Sequence, residues 1–366
     1  MKTPAQSRIQ SLLDRLIAEG AQRGVQVAVY CDGELIVDAW AGIADQATGN
    51  AVNGDALFPV FSVSKGMTAT ILHQLVERGL VSYDTPLAEV WPEFAAHGKH
   101  GITLRHCLNH TAGLADLPGD ITHSEIADWT HMCGLLADAR AVTPPGAQGQ
   151  YHAITFGWLC GEVACRIDGR DFQKLLADEI AIPLGLEQSL FMGAPSEVDA
   201  RVVTVEEPSA NPPAPGESRP SPVPDTLQPL HALMNRADMR RACLPASSGI
   251  MTARAIARHY AALLPGGVDG VELLPPRRVR LATELQLAPD ATGADFRRYL
   301  GYTLAEYVGT SPRAFGHGGY GGSTGFADPA RSLAVGITRN LFNDSDLAGL
   351  VLAELDVSLS LGKDPR

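Results

Sequence analysis

The chain opens on an amphipathic repeat. Ile9, Leu12, Leu13, Leu16 and Ile17 recur at helical spacing, so they share one face of a predicted helix. The period then changes to two: residues 25–30 and 34–40 read as strands on either side of Asp32-Gly33, a dipeptide suited to a tight hairpin turn. From residue 62 to about residue 190 the spacing is helical again, predicting helices to residue 78 and over 104–109, 154–166 and 172–182. Helices are also predicted over 227–239, 253–264 and 276–285, strands over 314–328 and 333–338, and a last helix over about 345–359. Seven prolines between Pro208 and Pro224 are too many for a helix or a central strand. Residues 208–224 are therefore expected to be a long extended loop, either a connector or a wall of the substrate site.

Strands at both ends and helices between them predict an α/β (α+β) fold: an antiparallel sheet flanked by helices, with a mainly helical domain inserted into it. The expected boundaries are 1–61 with 245–366 for the sheet domain and 62–244 for the helical one. With 366 residues, 45% of them hydrophobic, the chain can bury a sizeable core. A net charge of -12 argues against nucleic acid or an anionic membrane as a partner. No stretch reaches the roughly eighteen uninterrupted apolar residues of a membrane span. Arg8, Asp14, Arg15 and Glu19 fall where a signal peptide would need an apolar core, which predicts a cytoplasmic protein.

Six scattered cysteines with no C-x-x-C pair suggest reduced, mostly buried thiols. His106 and His110 lie four apart on a predicted helix and could hold a metal, but no carboxylate pattern accompanies them, so a structural role is favoured. Neither a metal nor a cofactor is expected.

Three stretches carry candidate chemistry. In Phe61-Ser62-Val63-Ser64-Lys65-Gly66-Met67-Thr68, a serine three residues before a lysine at a helix start puts both side chains on one face of the first turn. The lysine can then take the serine's proton, and the helix N-terminus favours an oxyanion there. S-x-x-K alone is weak: it recurs at Ser360-Leu361-Gly362-Lys363, where Gly362 and Pro365 preclude a helix start. In residues 144–154 a Pro/Gly turn delivers Tyr151 ahead of a helix. Its phenol could share the proton with Lys65, its pKa lowered by the ammonium nearby, or simply pack. Residues 315–325 contain six glycines, which allow close backbone approach to a ligand. The N–H groups of Tyr320 and Ser62 could form an oxyanion hole with His317 on the same edge; a glycine-rich turn with a structural histidine is the alternative. Gly321-Gly322-Ser323-Thr324-Gly325 also fits G-x-S-x-G. Phe326-Ala327-Asp328-Pro329 blocks the helix that this elbow needs, and no histidine follows His317, so Ser323 is rejected as nucleophile.

Taken in order, FSVSKGMTA, LRHCLNHTAGL, PPGAQGQYHAITFGWL and FGHGGYGGSTGFADP resemble the serine β-lactamase and penicillin-binding-protein superfamily. The likeness is to its class C-like branch, which includes family VIII carboxylesterases and the lovastatin acyltransferase. The resemblance implies a sheet domain plus a helical domain. It makes Ser62 the acylated nucleophile, Lys65 and Tyr151 the proton-transfer pair, Ser62 and Tyr320 the oxyanion hole, and His317, Gly318 and Gly319 the substrate-binding edge. Two departures qualify it. The Y-x-N motif has become Tyr151-His152-Ala153, and K-T-G has become His317-Gly318-Gly319, so the asparagine and lysine that grip a β-lactam are missing. The expected function is a carboxylesterase acting on a small ester through a Ser62 acyl-enzyme. The alternatives are an acyltransferase using an alcohol or amine acceptor and, after it, a β-lactamase or a non-catalytic ligand-binding protein.

Overall fold

Thr3 starts the first helix: its hydroxyl accepts the Gln6 N–H, and Pro4 at the first helical position has no N–H to leave unpaired. The computed structural model describes residues 3–208, 223–289, 295–343 and 345–361. In it this helix, α1 (Pro4–Ala18), buries Ile9, Leu12, Leu13 and Leu16. The strands are β1 (Gly24–Cys31), β2 (Glu34–Asp45), β3 (Asn50–Ala51), β4 (Phe58–Phe61), β5 (Leu190–Met192), β6 (Gly249–Met251), β7 (Gln286–Pro289), β8 (Asp295–Arg298), β9 (Thr303–Leu304), β10 (Phe315–Gly318), β11 (Thr324–Asp328) and β12 (Leu333–Arg339). Asp32 and Gly33 turn β1 into β2 with φ of 50° and 78°, the left-handed pair that the hairpin requires.

Among the described residues the main antiparallel sheet runs β3-β2-β1-β12-β11-β10-β9. Its centre joins the two ends of the chain: β1 pairs with β12 from Val25↔Arg339 to Cys31↔Leu333. Side chains alternate along β1. Val25, Val27 and Val29 pack under α1 and the last helix (Leu347–Leu361), through Leu12, Leu13, Val351 and Leu355. Ala28 and Tyr30 face the opposite core, shared with the helix Ala253–Ala261 and the helical region. The expected antiparallel sheet with helices against it is therefore present.

A second sheet, β4-β6-β5, leads into the helical region. From the end of β4 the chain enters α2 (Ser64–Glu77), which is buried continuously from Ser64 to Val76. Its polar side chains are paired inside: the Thr68 hydroxyl donates to Pro245 O at 2.7 Å, and the Thr70 hydroxyl to Gly66 O at 2.9 Å. Ser62 does not sit within the helix as its spacing suggests. Ser62 and Val63 form a turn closed by Lys65 N–H donating to Ser62 O, and the helix proper begins at Ser64.

The predicted 227–239 helix is also corrected. It is a 3-10 turn (Asp225–Leu227) and two short helices, Leu230–Asn235 and Ala237–Arg241. Pro229 cannot continue a preceding helix, and Arg236 is extended at φ -72°, ψ 137°. Residues 314–328 are not one strand, because the glycines at 319, 321 and 322 fold a 3-10 turn between β10 and β11. Of the predicted 208–224 loop, residues 209–222 lie outside the described residues. Among the described residues no helix is long and apolar enough to cross a membrane.

Candidate active site

The site is built on a bend. Phe61, the last residue of β4, has φ 48°. A bulky side chain in the left-handed region costs roughly 1–2 kcal/mol, so the surroundings must hold it there. The Ser64 hydroxyl donates to Phe61 O at 2.5 Å and accepts the Gly249 N–H at 2.8 Å, pinning the bend to β6. The Phe61 ring packs edge-on against Tyr320 and Phe342, at 5.7 and 5.5 Å between centroids.

Lys65 lies one turn beyond Ser62 and is fully buried. Its Nζ is 3.0 Å from Ser62 Oγ, 2.7 Å from Ala153 O and 3.0 Å from Ala246 O. Burial pushes its pKa well below 10.5, and no described carboxylate counters that effect. A neutral amine has two N–H groups and one lone pair. Lys65 Nζ donates to Ser62 Oγ and to the two carbonyls; in the neutral form that burial favours, the carbonyls would take the two N–H groups and the lone pair would face the serine hydroxyl.

The Tyr151 phenol hydrogen-bonds with Ser62, and its ring lies 4.9 Å from Lys65 Nζ. The expectation that a lysine ammonium lowers the tyrosine pKa is reversed. Burial raises Tyr151 to about 12, against smaller downward effects of the Ser62 hydrogen bond and the nearby Arg298. The enclosure disfavours either charge, which shifts the pair toward a neutral amine and a neutral phenol.

Two residues not assigned to the site in the sequence, His110 and Arg298, lie against the Tyr151 ring, and His152 braces His110. His110 has φ 63° and packs 4.9 Å from the Tyr151 ring. Its Nδ1 accepts the His152 N–H at 3.2 Å, so neutral His110 carries its proton on Nε2. His152 Nε2 accepts the Leu114 N–H at 3.2 Å, which leaves Nδ1–H to donate to Gln150 O at 2.6 Å. Burial keeps both neutral, lowering His152 to about 4 and His110 well below 6.5. Arg298 places its guanidinium 5.9 Å from the Tyr151 ring. Its position beside the site had no motif to mark it, whereas His110 lay within the quoted LRHCLNHTAGL stretch. His106, the other histidine considered for a metal, caps the helix Leu104–Leu108 by accepting the Thr103 N–H at 3.1 Å.

The glycine-rich turn closes the other side. A Cβ at Gly319 would lie 2.1 Å from Val60 O, so only glycine lets this turn approach β4. Gly318 and Tyr320 line a cavity of about 380 Å³ together with Ser62 and Tyr151. The Tyr320 hydroxyl donates to Glu207 at 2.6 Å. His317 is buried beside Tyr151 with its Nδ1 2.7 Å from Gly318 O, and burial lowers its pKa to about 3. Ser323 is not part of the site: its hydroxyl accepts the Arg339 N–H at 3.3 Å, and strand β11 follows it directly. Ser360 falls at the end of the last helix, and Lys363 lies outside the described residues.

The comparisons agree with this architecture. The Beta-lactamase family model matches residues 9–357, so the chain belongs to the β-lactamase family. It is 35% identical over 338 residues to the esterase/beta-lactamase LipL of Mycobacterium tuberculosis, covering 87% of this chain and 77% of that protein. A family VIII carboxylesterase crystal structure superposes with a TM-score of 0.86 at 29% identity, covering 98% of each chain. A penicillin-binding protein homologue from Caulobacter crescentus gives 0.85 at 30%, covering 98% of this chain and 97% of that one. The chain is a hydrolase of the β-lactamase fold.

Proposed function

We propose that the protein is a carboxylesterase that works through an acyl-enzyme on Ser62. The observation that carries this reading is the Lys65 amine, buried, without a carboxylate partner among the described residues and 3.0 Å from Ser62 Oγ, with two main-chain carbonyls also accepting from it. Ser62 Oγ attacks the ester carbonyl as its proton passes to Lys65. The N–H groups of Ser62 and Tyr320 take the oxyanion. The C–O bond to the alcohol then breaks while the Tyr151 hydroxyl protonates the leaving oxygen, and the lysine ammonium reprotonates Tyr151. Water, deprotonated by the same pair, releases the acid. Support for the ester as substrate comes from relatives named esterase and carboxylesterase, and from Ala153 and His317 at the positions of the missing β-lactam-gripping residues.

The test is to treat the protein with a fluorophosphonate and locate the adduct by mass spectrometry, then assay nitrophenyl acetate. Ser62 should be labelled, Ser62→Ala should abolish turnover, and Ser323→Ala should keep most of it. An active Ser62→Ala with an inactive Ser323→Ala would overturn the assignment.

A further inference from the structure

Two cavities meet at the glycine-rich turn and differ in character. The larger, about 740 Å³, lies along Gly318–Ser323 and is walled by charged groups including Glu207, Glu306, Arg339 and Asp346. The smaller, about 380 Å³, shares Gly318 and Tyr320 with it but contains Ser62 and Tyr151, and among the described residues its lining includes no Asp, Glu, Lys or Arg. Its far wall comes from the segment that breaks the predicted 227–239 helix. Leu230, Leu233 and Met234 share one face of the helix Leu230–Asn235, and Met239 projects from Ala237–Arg241. Ile126 completes the wall from the helix His123–Ala127.

Resting on the acyl-enzyme reading, we infer that this cavity selects esters carrying an uncharged aliphatic chain of roughly six to ten carbons. The size follows from volume: at about 30 Å³ for each water-sized group the space holds about a dozen such groups, and the ester's own atoms beside Ser62 take a few of these places, which leaves roughly six to ten for the chain. The chemistry follows from the lining. An ionised group moved into an apolar cavity without a partner is strongly disfavoured, whereas each buried methylene contributes favourably. Met234 and Met239 suit a flexible chain, because thioether side chains adjust to an irregular occupant. The chain could belong to the acyl group or to the alcohol, and the two sources separate experimentally.

The experiment measures kcat/KM along two ladders: nitrophenyl alkanoates from acetate to dodecanoate, and alkyl acetates of the same lengths. One ladder should climb about fourfold per carbon over several steps before levelling off, as expected for methylene burial. The climbing ladder identifies which part of the ester enters the cavity. Met239→Trp, which fills the space, should lower the octanoate-to-acetate ratio, or its alkyl counterpart, at least tenfold. Ladders that stay flat, or fall beyond butyrate in both series, overturn the inference, and the wild-type ladders decide this even where Met239→Trp does not fold. Labelling of Ser62 and turnover of nitrophenyl acetate separate the outcomes: with both present, a flat ladder refutes only the chain-length selection, and with both absent the acyl-enzyme reading has failed.

Discussion

The carbonyl of Ala153 accepts a hydrogen bond from Lys65 Nζ at 2.7 Å. Position 153 is where the resembling β-lactamases carry an asparagine side chain, yet here it is the main chain that orients the lysine. An alanine here lacks the amide side chain but still supplies the carbonyl that holds Lys65. Turnover of penicillins and cephalosporins should be weak or undetectable beside that of nitrophenyl esters, measured by absorbance on the same preparation. Comparable rates on the two substrate classes would show that Ala153 and His317 do not set the choice.

Tyr151→Phe should slow the chemical step by about two to four orders of magnitude, the range for a positioned acid–base group, with circular dichroism unchanged. Lys65→Ala should be as severe. Both side chains hydrogen-bond to Ser62, and the proposed mechanism has them share one proton there, so it predicts that the double variant is about as slow as either single one. Near-normal turnover in a folded Tyr151→Phe would reduce the tyrosine to a packing residue.

Burial of Lys65 also sets a pH dependence of stability. The folded-state pKa lies well below 10.5, so between those values the unfolded chain binds a proton that the native state lacks. Stability must then rise with pH in that window. Relative to Lys65→Met, the wild type should gain up to about 1.4 kcal/mol of unfolding free energy per pH unit, levelling off near pH 10.5. Urea denaturation at several pH values measures this; a difference independent of pH would mean that the native lysine is charged.

On the acid side, burial lowers His73, His259 and His317 to about 3 and His152 to about 4. As pH falls below about 6.5 the unfolded chain takes up protons at these residues while the native state does not, so stability declines. The melting temperature should begin to drop below pH 6.5 and fall steeply by pH 5. A melting temperature constant down to pH 5 would contradict the buried, neutral assignment.

Gly319→Ala tests the close approach of the turn to β4. Its Cβ would meet a main-chain oxygen that cannot rotate away, so the turn bearing Tyr320 must shift from Ser62. Losing one oxyanion donor typically costs about a hundredfold to a thousandfold in kcat, and a loss of that order is expected. Wild-type kinetics in this variant would remove Tyr320 from the oxyanion hole.

Much of this was readable in the chain because it is written locally. The 3.6-residue repeat of Ile9 to Ile17, the Asp32-Gly33 turn, the three-residue step from Ser62 to Lys65 and the Pro/Gly turn before Tyr151 each need only a few neighbouring residues. What was not readable depends on packing from a distance. The relative pKa values of Lys65 and Tyr151 follow from how tightly other segments enclose them. The positions of His110 and Arg298 beside the Tyr151 ring follow from tertiary structure. The 227–239 stretch kept helical spacing because its apolar residues do face one way, but toward a cavity and across a break at Pro229 that spacing alone does not register.

The β1–β12 pairing has a consequence for biosynthesis. Val25 cannot meet Arg339, nor can Phe58 in the strand leading to Ser62 meet Met251, until most of the polypeptide has left the ribosome. The entropy of closing such long loops grows only with the logarithm of their length, but pairings so distant in sequence slow the search for the native arrangement. Throughout translation the edge of β1 that β12 will take, and the part of its valine face that the last helix will cover, stay exposed. The growing chain therefore has no assembled hydrolytic site, and is most exposed to aggregation, until its last strand is delivered.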